Sequence, residues 1–358
     1  MSKIQKKKRQ VNIEILRILS MFLIVLGHCW FHGFKSHGYE DVFDVSSTLG
    51  IFNYISMELL WIISTIGVNC FVFITGYFMV NKFELRWKGL MNLWIQILFY
   101  SLGLYVLLNG SVSPGELFTY SLPIYSSPYW FITKYFALML LAPFLSILAH
   151  KITQKQYVLL LIILFILFGG YTYGPIFAGC YTLSWFVFLY MIAGYYRLYG
   201  FGTKISRHAG IIVFLLLVVL FLLATCINLY HLYRDGNPVF RIMSTAGDGI
   251  AFFLSLAVFV WFSKLTMKAT FFHHLSKVAP YTLGVYLIHE HPLIRVTLWD
   301  NILPESLPMP MIFYVLSISL AIFITTIAID YLRSRLFGLL RLDRLSSKFE
   351  ERMHSFTK

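Results

Sequence analysis

Ten apolar stretches follow one another along the chain, at approximately 11–31, 56–80, 89–109, 128–149, 157–174, 181–199, 210–230, 244–263, 278–294 and 310–332. Most reach the roughly 20 residues that an α-helix needs to cross a hydrocarbon core. The fifth, sixth and ninth are short or interrupted by Gly or Pro. The pattern predicts an all-α, polytopic integral membrane protein of about ten transmembrane helices, with the ninth the weakest of them. Composition agrees: 58% of the 358 residues are apolar and 13% charged, against roughly 45–50% and 25% in a soluble domain. A water-soluble globule is excluded.

The net charge of +13 would raise nucleic-acid binding in a soluble chain. Here the cations sit at the edges of the apolar stretches, and they alternate. The N-terminal segment (Lys3 to Arg9), the connections carrying Lys82, Arg86 and Lys88, Lys151 and Lys155, Arg197 to Arg207, and Lys264 to Lys277, and the tail from Arg333 to Lys358 hold 23 of the 29 lysines and arginines. By the positive-inside rule these segments are cytoplasmic, which places both termini in the cytoplasm and requires an even number of spans. Topology then accounts for the charge, and no nucleic-acid partner is expected. The expected organisation is one membrane domain over residues 1–358, with basic tails at 1–10 and 333–358. The longest connections, about 32–55, 110–127 and 295–309, leave no room for a soluble domain. The first apolar stretch has no small-residue cleavage site after it and reads as a retained helix. Four cysteines, Cys29, Cys70, Cys180 and Cys226, lack the spacing of a zinc site or a disulfide scaffold.

Ionisable residues inside spans cost a few kcal/mol each, about enough to make each one a functional candidate. The first stretch holds three: Glu14, Arg17 and His28. At 100° per residue the step from Arg17 to His28 ends about 20° past three full turns, so the two share a face roughly 16 Å apart along the axis. Glu14, three residues before Arg17, lies on the same stripe and can pair with it. Arg17 falls near the cytoplasmic interface and His28 near the outer one. Snorkelling to lipid phosphates and a headgroup-level imidazole are the bland alternatives. The chemistry that suits these types is acyl transfer from a thioester. A guanidinium can hold the phosphates of a nucleotide-bearing donor through paired hydrogen bonds. A neutral imidazole can take a proton from an acceptor hydroxyl or accept the acyl group itself.

Four segments in order resemble the acyltransferase-3 family of bacterial membrane acyltransferases. They are Arg17 with His28 eleven positions on and Glu14 before them; GVNCFVFITGYF at 67–78; Trp130-Phe131 with Pro143 beyond; and YTLGVYLIHEH at 281–291. The second segment has Thr75 where Ser is usual, and the fourth has Tyr281-Thr282 where Ser-Tyr is commoner. The resemblance implies O-acylation, usually acetylation, of a cell-envelope, capsular or exopolysaccharide glycan in a bacterial plasma membrane. Acetyl-CoA would be the cytoplasmic donor, with an envelope glycan or lipid-linked saccharide as acceptor and glycan-assembly proteins as possible partners. It assigns Arg17 to donor binding, Glu14 to orienting Arg17, and His28 to catalysis or relay, with His289 as the matching second histidine. Some relatives carry an additional extracytoplasmic domain, for which these residues hold no counterpart.

Other residues invite competing readings. His289, Glu290 and His291 look like a metal set, but successive residues on a helix point 100° apart and cannot all bind one ion; no metal is expected. Glu290 reads as an interfacial, water-facing acid. Arg86 and Lys88 fit a phosphate-binding rim for coenzyme A, with Arg86 assigned to donor binding; both also fit topology determinants, a reading at least as good for Lys88. Lys134 pairs with an acid or snorkels. Cys29 points away from the Arg17 and His28 stripe and reads as apolar filler. Tyr129, Trp130, Tyr171, Tyr173, Tyr181 and Trp185 read as an interfacial belt. A transporter or flippase for a lipid-linked glycan, or an export accessory, is the alternative from another class.

Overall fold

The computed structural model describes residues 10–34, 47–109, 113–122, 124–125, 129–168, 182–235, 249–302 and 310–357. Within them the chain is helical and holds no strand: α1 (Val11–His28), α2 (Thr48–Met79), α3 (Trp87–Leu108), α4 (Pro114–Ser121), α5 (Trp130–Lys151), α6 (Gln154–Phe168), α7 (Leu183–Tyr199), α8 (Thr203–Asp235), α9 (Gly249–Lys264), α10 (Thr270–Leu275), α11 (Thr282–His289), α12 (Pro292–Ile302), α13 (Met311–Leu339) and α14 (Leu342–Thr357). A π-helical turn, Cys29–Phe34, prolongs α1, and a 3₁₀ segment, Ser276–Tyr281, precedes α11.

Within the described residues, each of the ten apolar stretches falls largely on helix. Among the described residues six candidate spans stand out by length and composition, Val11–Phe34, Thr48–Met79, Trp87–Leu108, Trp130–Lys151, Thr203–Leu223 and Met311–Leu339, and Gln154–Phe168 and Ala251–Lys264 are shorter apolar helices. The protein is an all-α, multi-pass membrane protein. The ninth stretch splits at Pro280, which lacks an N–H and clashes with the preceding turn, so that eight α-helical residues follow a 3₁₀ segment. Two expected loops carry helices, α4 and α12, and α2 begins at Thr48, eight residues before the apolar stretch that marked it. The basic C-terminal tail is helical, forming the end of α13 and all of α14.

The longest-reaching contacts run through α2, which packs against α1, α5, α7, α8, α9 and α13. Lipid tails are as apolar as the helices, so close backbone approach and interhelical hydrogen bonds replace the hydrophobic drive. Both are present. A Cβ on Gly67 would lie 2.6 Å from the Ser20 carbonyl of α1, and one on Gly76 would lie 2.5 Å from the Tyr190 carbonyl of α7. The Trp185 indole N–H donates to Asn69 Oδ1 (3.1 Å), and the Asn69 amide donates to Ser255 Oγ (3.1 Å), tying α7, α2 and α9 together. Trp185 is thus a core residue, as is Tyr129, whose hydroxyl donates to the Leu287 carbonyl (3.0 Å). Neither belongs to an interfacial belt, because each polar tip finds its partner inside the bundle. Tyr171, Tyr173, Tyr181 and Cys180 lie outside the described residues. Cys29, Cys70 and Cys226 are free thiols.

Gly76→Ala is expected to destabilise the protein by about 1–3 kcal/mol, the usual cost of overpacking, because the clash is with backbone and cannot be relieved by a rotamer. Gly103→Ala, on α3 with nothing within 4 Å of the added methyl, should be neutral or slightly stabilising. Thermal unfolding of the two variants in detergent measures the difference.

Candidate functional site

The basic ends of α1, α3 and α13, with the 3₁₀ segment and the start of α14, enclose a cavity of about 630 Å³. Arg17, Arg86 and Arg333 line it, against one carboxylate, Asp343. Arg17 Nη1 donates to Glu14 Oε2 at 3.1 Å, the pairing its i, i+3 spacing predicts; Glu14 is buried and the Arg17 side chain 28% exposed. The acid holds the guanidinium and leaves its other N–H groups for the cavity. Arg86 is the residue from which α3 starts, and Gly89 and Asn92 beside it also line the wall. Lys88 faces elsewhere, donating from Nζ to Ser347 Oγ of α14 (2.8 Å).

Arg333 was invisible as a site residue while it was counted with the basic tail. Its Nε donates to Asp330 Oδ1 at 2.7 Å and its Nη2 to Oδ2 at 3.0 Å. Asp330 is fully buried and also accepts from the Tyr100 hydroxyl (2.8 Å) and the Gln96 amide (3.1 Å). The signal was there: Asp330 and Arg333 repeat the acid-then-arginine spacing of Glu14 and Arg17 inside an apolar stretch. Gly284 of α11 lies against this pair, and a Cβ there would sit 2.2 Å from Asp330 Oδ1.

Further along the same axis the cavity is bounded by Phe71, Thr75 and Tyr135. Thr75 and Tyr135 hydroxyls are 3.2 Å apart. Phe131 stacks on Tyr135 (5.5 Å between centroids) and meets Phe71 (6.1 Å) and Tyr286 (5.6 Å) edge to face. The Tyr286 ring in turn lies 6.4 Å from His28. An aromatic layer therefore stands between the arginine cavity and the histidines at the opposite end of α1.

There the structure gathers residues from α1, the π-helical turn, the end of α11 and α12. His28 Nδ1 lies 2.9 Å from His289 Nε2 and 3.0 Å from Glu290 Oε1. His32 Nε2 is 3.4 Å from the same carboxylate oxygen, and Arg295 Nη1 is 3.6 Å from Glu290 Oε2. The tautomers follow from the partners. His289 Nδ1 is 2.6 Å from the Val285 carbonyl, which can only accept, so that nitrogen carries the proton. A neutral His289 then presents a lone pair at Nε2, His28 donates to it from Nδ1, and a neutral His28 keeps Nε2 free to accept a proton. His28 is 19% exposed along its side chain and His289 is 1% exposed, so the accessible base is His28.

One expectation changes here, and two neighbouring side chains are placed. Glu290 is not a water-facing acid but 3% exposed, held by the histidines and Arg295. His291 turns away to the Ser101 carbonyl (3.1 Å) and stacks on Tyr120. Lys134 takes the Trp130 carbonyl (3.3 Å) and the Trp130 ring. His32, four residues after His28, is the functional neighbour that sequence reading missed; the i, i+4 spacing was the available signal.

Two imidazoles and a carboxylate can hold a divalent metal, and the ligand atoms of His28, His32 and Glu290 lie within 4.8 Å of one another. The angular objection to residues 289–291 does not reach this set, which comes from separate elements. The charges argue for an ion-pair network instead. Arg295 already supplies a cation to Glu290, and His28 Nδ1, the atom a metal would need, faces His289.

The arrangement suits acyl transfer: cationic groups for an anionic donor at one end and an accessible imidazole base, backed by a second imidazole and a carboxylate, at the other. No curated protein and no solved structure matches the chain. A family model described as an acyltransferase domain matches residues 10–330, which takes in the histidine cluster together with Arg17 and Arg86 and ends three residues before Arg333, and the chain belongs to the acyltransferase-3 family.

Proposed function

We propose that this membrane acyltransferase O-acetylates a hydroxyl of a cell-envelope, capsular or exopolysaccharide glycan, using acetyl-CoA from the cytoplasm, in a bacterial plasma membrane. The observation that carries the reading is the three-arginine cavity on the basic side of the bundle, aligned through α1 with an accessible His28 on the opposite side. The cavity suits a nucleotide with several phosphates: Arg17, Arg86 and Arg333 are forked donors that match phosphate oxygens, while the Lys88 N–H at the start of α3 is taken by Glu350 Oε1 (3.4 Å). An extended thioester arm would follow α1 toward His28, roughly 16 Å from Arg17 along the helix axis.

In this scheme the acceptor hydroxyl gives its proton to His28 Nε2 as its oxygen bonds to the thioester carbonyl carbon. The carbon–sulfur bond then breaks, and the proton on His28 passes to the departing thiolate. His289 acts as a positioning residue that fixes the His28 tautomer, and Glu290 steadies the imidazolium while it exists. The acceptor would approach from the outer face as a glycan or lipid-linked saccharide, alone or delivered by assembly proteins.

Mass spectrometry of envelope glycans from cells with and without the protein tests the reaction: acetyl-sized increments should disappear with it, and unchanged glycans would refute the reading. The donor half is tested separately. Arg17→Lys keeps the charge and loses the planar fork, so it should raise the KM for acetyl-CoA by about tenfold, the worth of one strong charge-assisted hydrogen bond. Full acylation by Arg17→Lys at limiting donor would remove Arg17 from the phosphates.

A further inference from the structure

Beyond the donor and acceptor sites, the strongest unassigned feature is α14. It starts at an elbow where Arg341 adopts a left-handed backbone (φ 54°), and it packs against the start of α3. The Phe349 ring meets Trp87 edge to face (6.1 Å), and Lys88 Nζ donates to Ser347 Oγ (2.8 Å). At 100° per residue, and counting from Arg344, Lys348 lies at about 40°, Arg352 at about 80° and Leu345 at about 100°. All four are exposed. Asp343, Glu350 and Glu351 fall between about 240° and 340° on the same count. One flank of the helix is therefore basic with a leucine at its edge; Asp343 and Glu350 sit on the other, and Glu351 stands at the border, about 20° from Arg344.

The basic flank adjoins apolar surface. Leu332, Leu336, Leu339 and Leu340 are 66%, 42%, 81% and 60% exposed, running down α13 onto the elbow, and Leu345 (54%) continues the line. Exposed leucines on a membrane span face lipid tails, so the cations beside the last of them stand at the headgroup level. A helix with apolar residues and cations on one flank is built for an anionic membrane surface. An acidic soluble partner would match the cations but leave the leucines uncovered.

The same helix closes the donor cavity. Leu342 and Asp343 of its first turn line the wall, and Ser347 holds Lys88, two residues from Arg86. We propose that Arg344, Lys348 and Arg352 bind anionic lipid headgroups of the cytoplasmic leaflet, and that this contact holds α14 in place as a wall of the donor cavity. The coupling rests on the donor reading above, whereas the lipid contact does not.

The test uses the full chain in nanodiscs of zwitterionic phosphatidylcholine, with or without phosphatidylglycerol, reading amide exchange of α14 and binding of coenzyme A. With phosphatidylglycerol at low salt, α14 should exchange about tenfold more slowly and coenzyme A should bind more tightly, and high salt should erase both effects. R344Q/K348Q/R352Q should respond to phosphatidylglycerol in neither readout while matching the unaltered protein in phosphatidylcholine. Equal exchange in the two lipids, or a triple variant still slowed by phosphatidylglycerol, overturns the lipid contact. Slower exchange with unchanged coenzyme A affinity overturns the coupling. If no form binds coenzyme A in either lipid, the donor reading fails, and the exchange data still decide the lipid contact.

Discussion

His28→Ala should lower acylation by about 10²–10⁴-fold, the usual worth of a positioned general base, with membrane abundance and coenzyme A binding unchanged. His28 lies across the aromatic layer from the arginine cavity and is not among that cavity's lining residues, so donor binding should not register the change. His28→Gln keeps a side-chain hydrogen bond to the neighbouring cluster but cannot accept a proton, so it should be as inactive as alanine. A partly active Gln variant would reduce His28 to a positioning role. Activity in excess chelator should stay at its starting level, because the ion-pair reading of His28, His32 and Glu290 needs no metal. Near-normal acylation by both variants would shift the chemistry to His289.

The second large effect is expected at Asp330, which carries four hydrogen bonds in a fully buried position. Asp330→Asn removes the countercharge of Arg333 and should destabilise the protein by about 3–5 kcal/mol, the cost of orphaning one member of a buried ion pair. Asp330→Asn/Arg333→Gln removes both charges and should recover most of that loss. The pair then separates two roles. If the Arg333 guanidinium serves the donor, the double variant regains thermal stability in detergent but keeps a raised KM for acetyl-CoA. If the pair only braces α13 against α3, stability and KM recover together.

The two clusters were unequally legible. The Glu14, Arg17 and His28 stripe could be read from helical periodicity alone, because all three residues share one helix and one face. Arg86 could be preferred to Lys88 only narrowly, since neighbouring cations at a span edge look alike until the packing of α14 takes Lys88 away. Glu290 misled for a similar reason: an acid at the end of an apolar stretch reads as interfacial, and only the approach of α11 to the π-helical turn buries it. Helix positions were legible because lipid demands long apolar runs. Helix ends were not, since α14 and the start of α2 depend on contacts with other helices. The cost of those contacts is local, and no single-segment pattern records it.

The aromatic layer of Phe71, Phe131, Tyr135 and Tyr286 has a consequence for cell energetics. A shaft that joined the arginine cavity to the histidines with water would offer protons a wire across the membrane, with His28 as a convenient carrier. Stacked and edge-to-face rings fill the section between the two ends, and the Tyr135 hydroxyl among them is engaged with Thr75 (3.2 Å) on the cavity side. In the proposed scheme an acyl group would cross this layer at the tip of a thin donor arm, with the rings closed around it, while the ion gradient stays intact. Insulation and group transfer then depend on the same four side chains, and enlarging the passage at any of them would trade catalytic access against a leak.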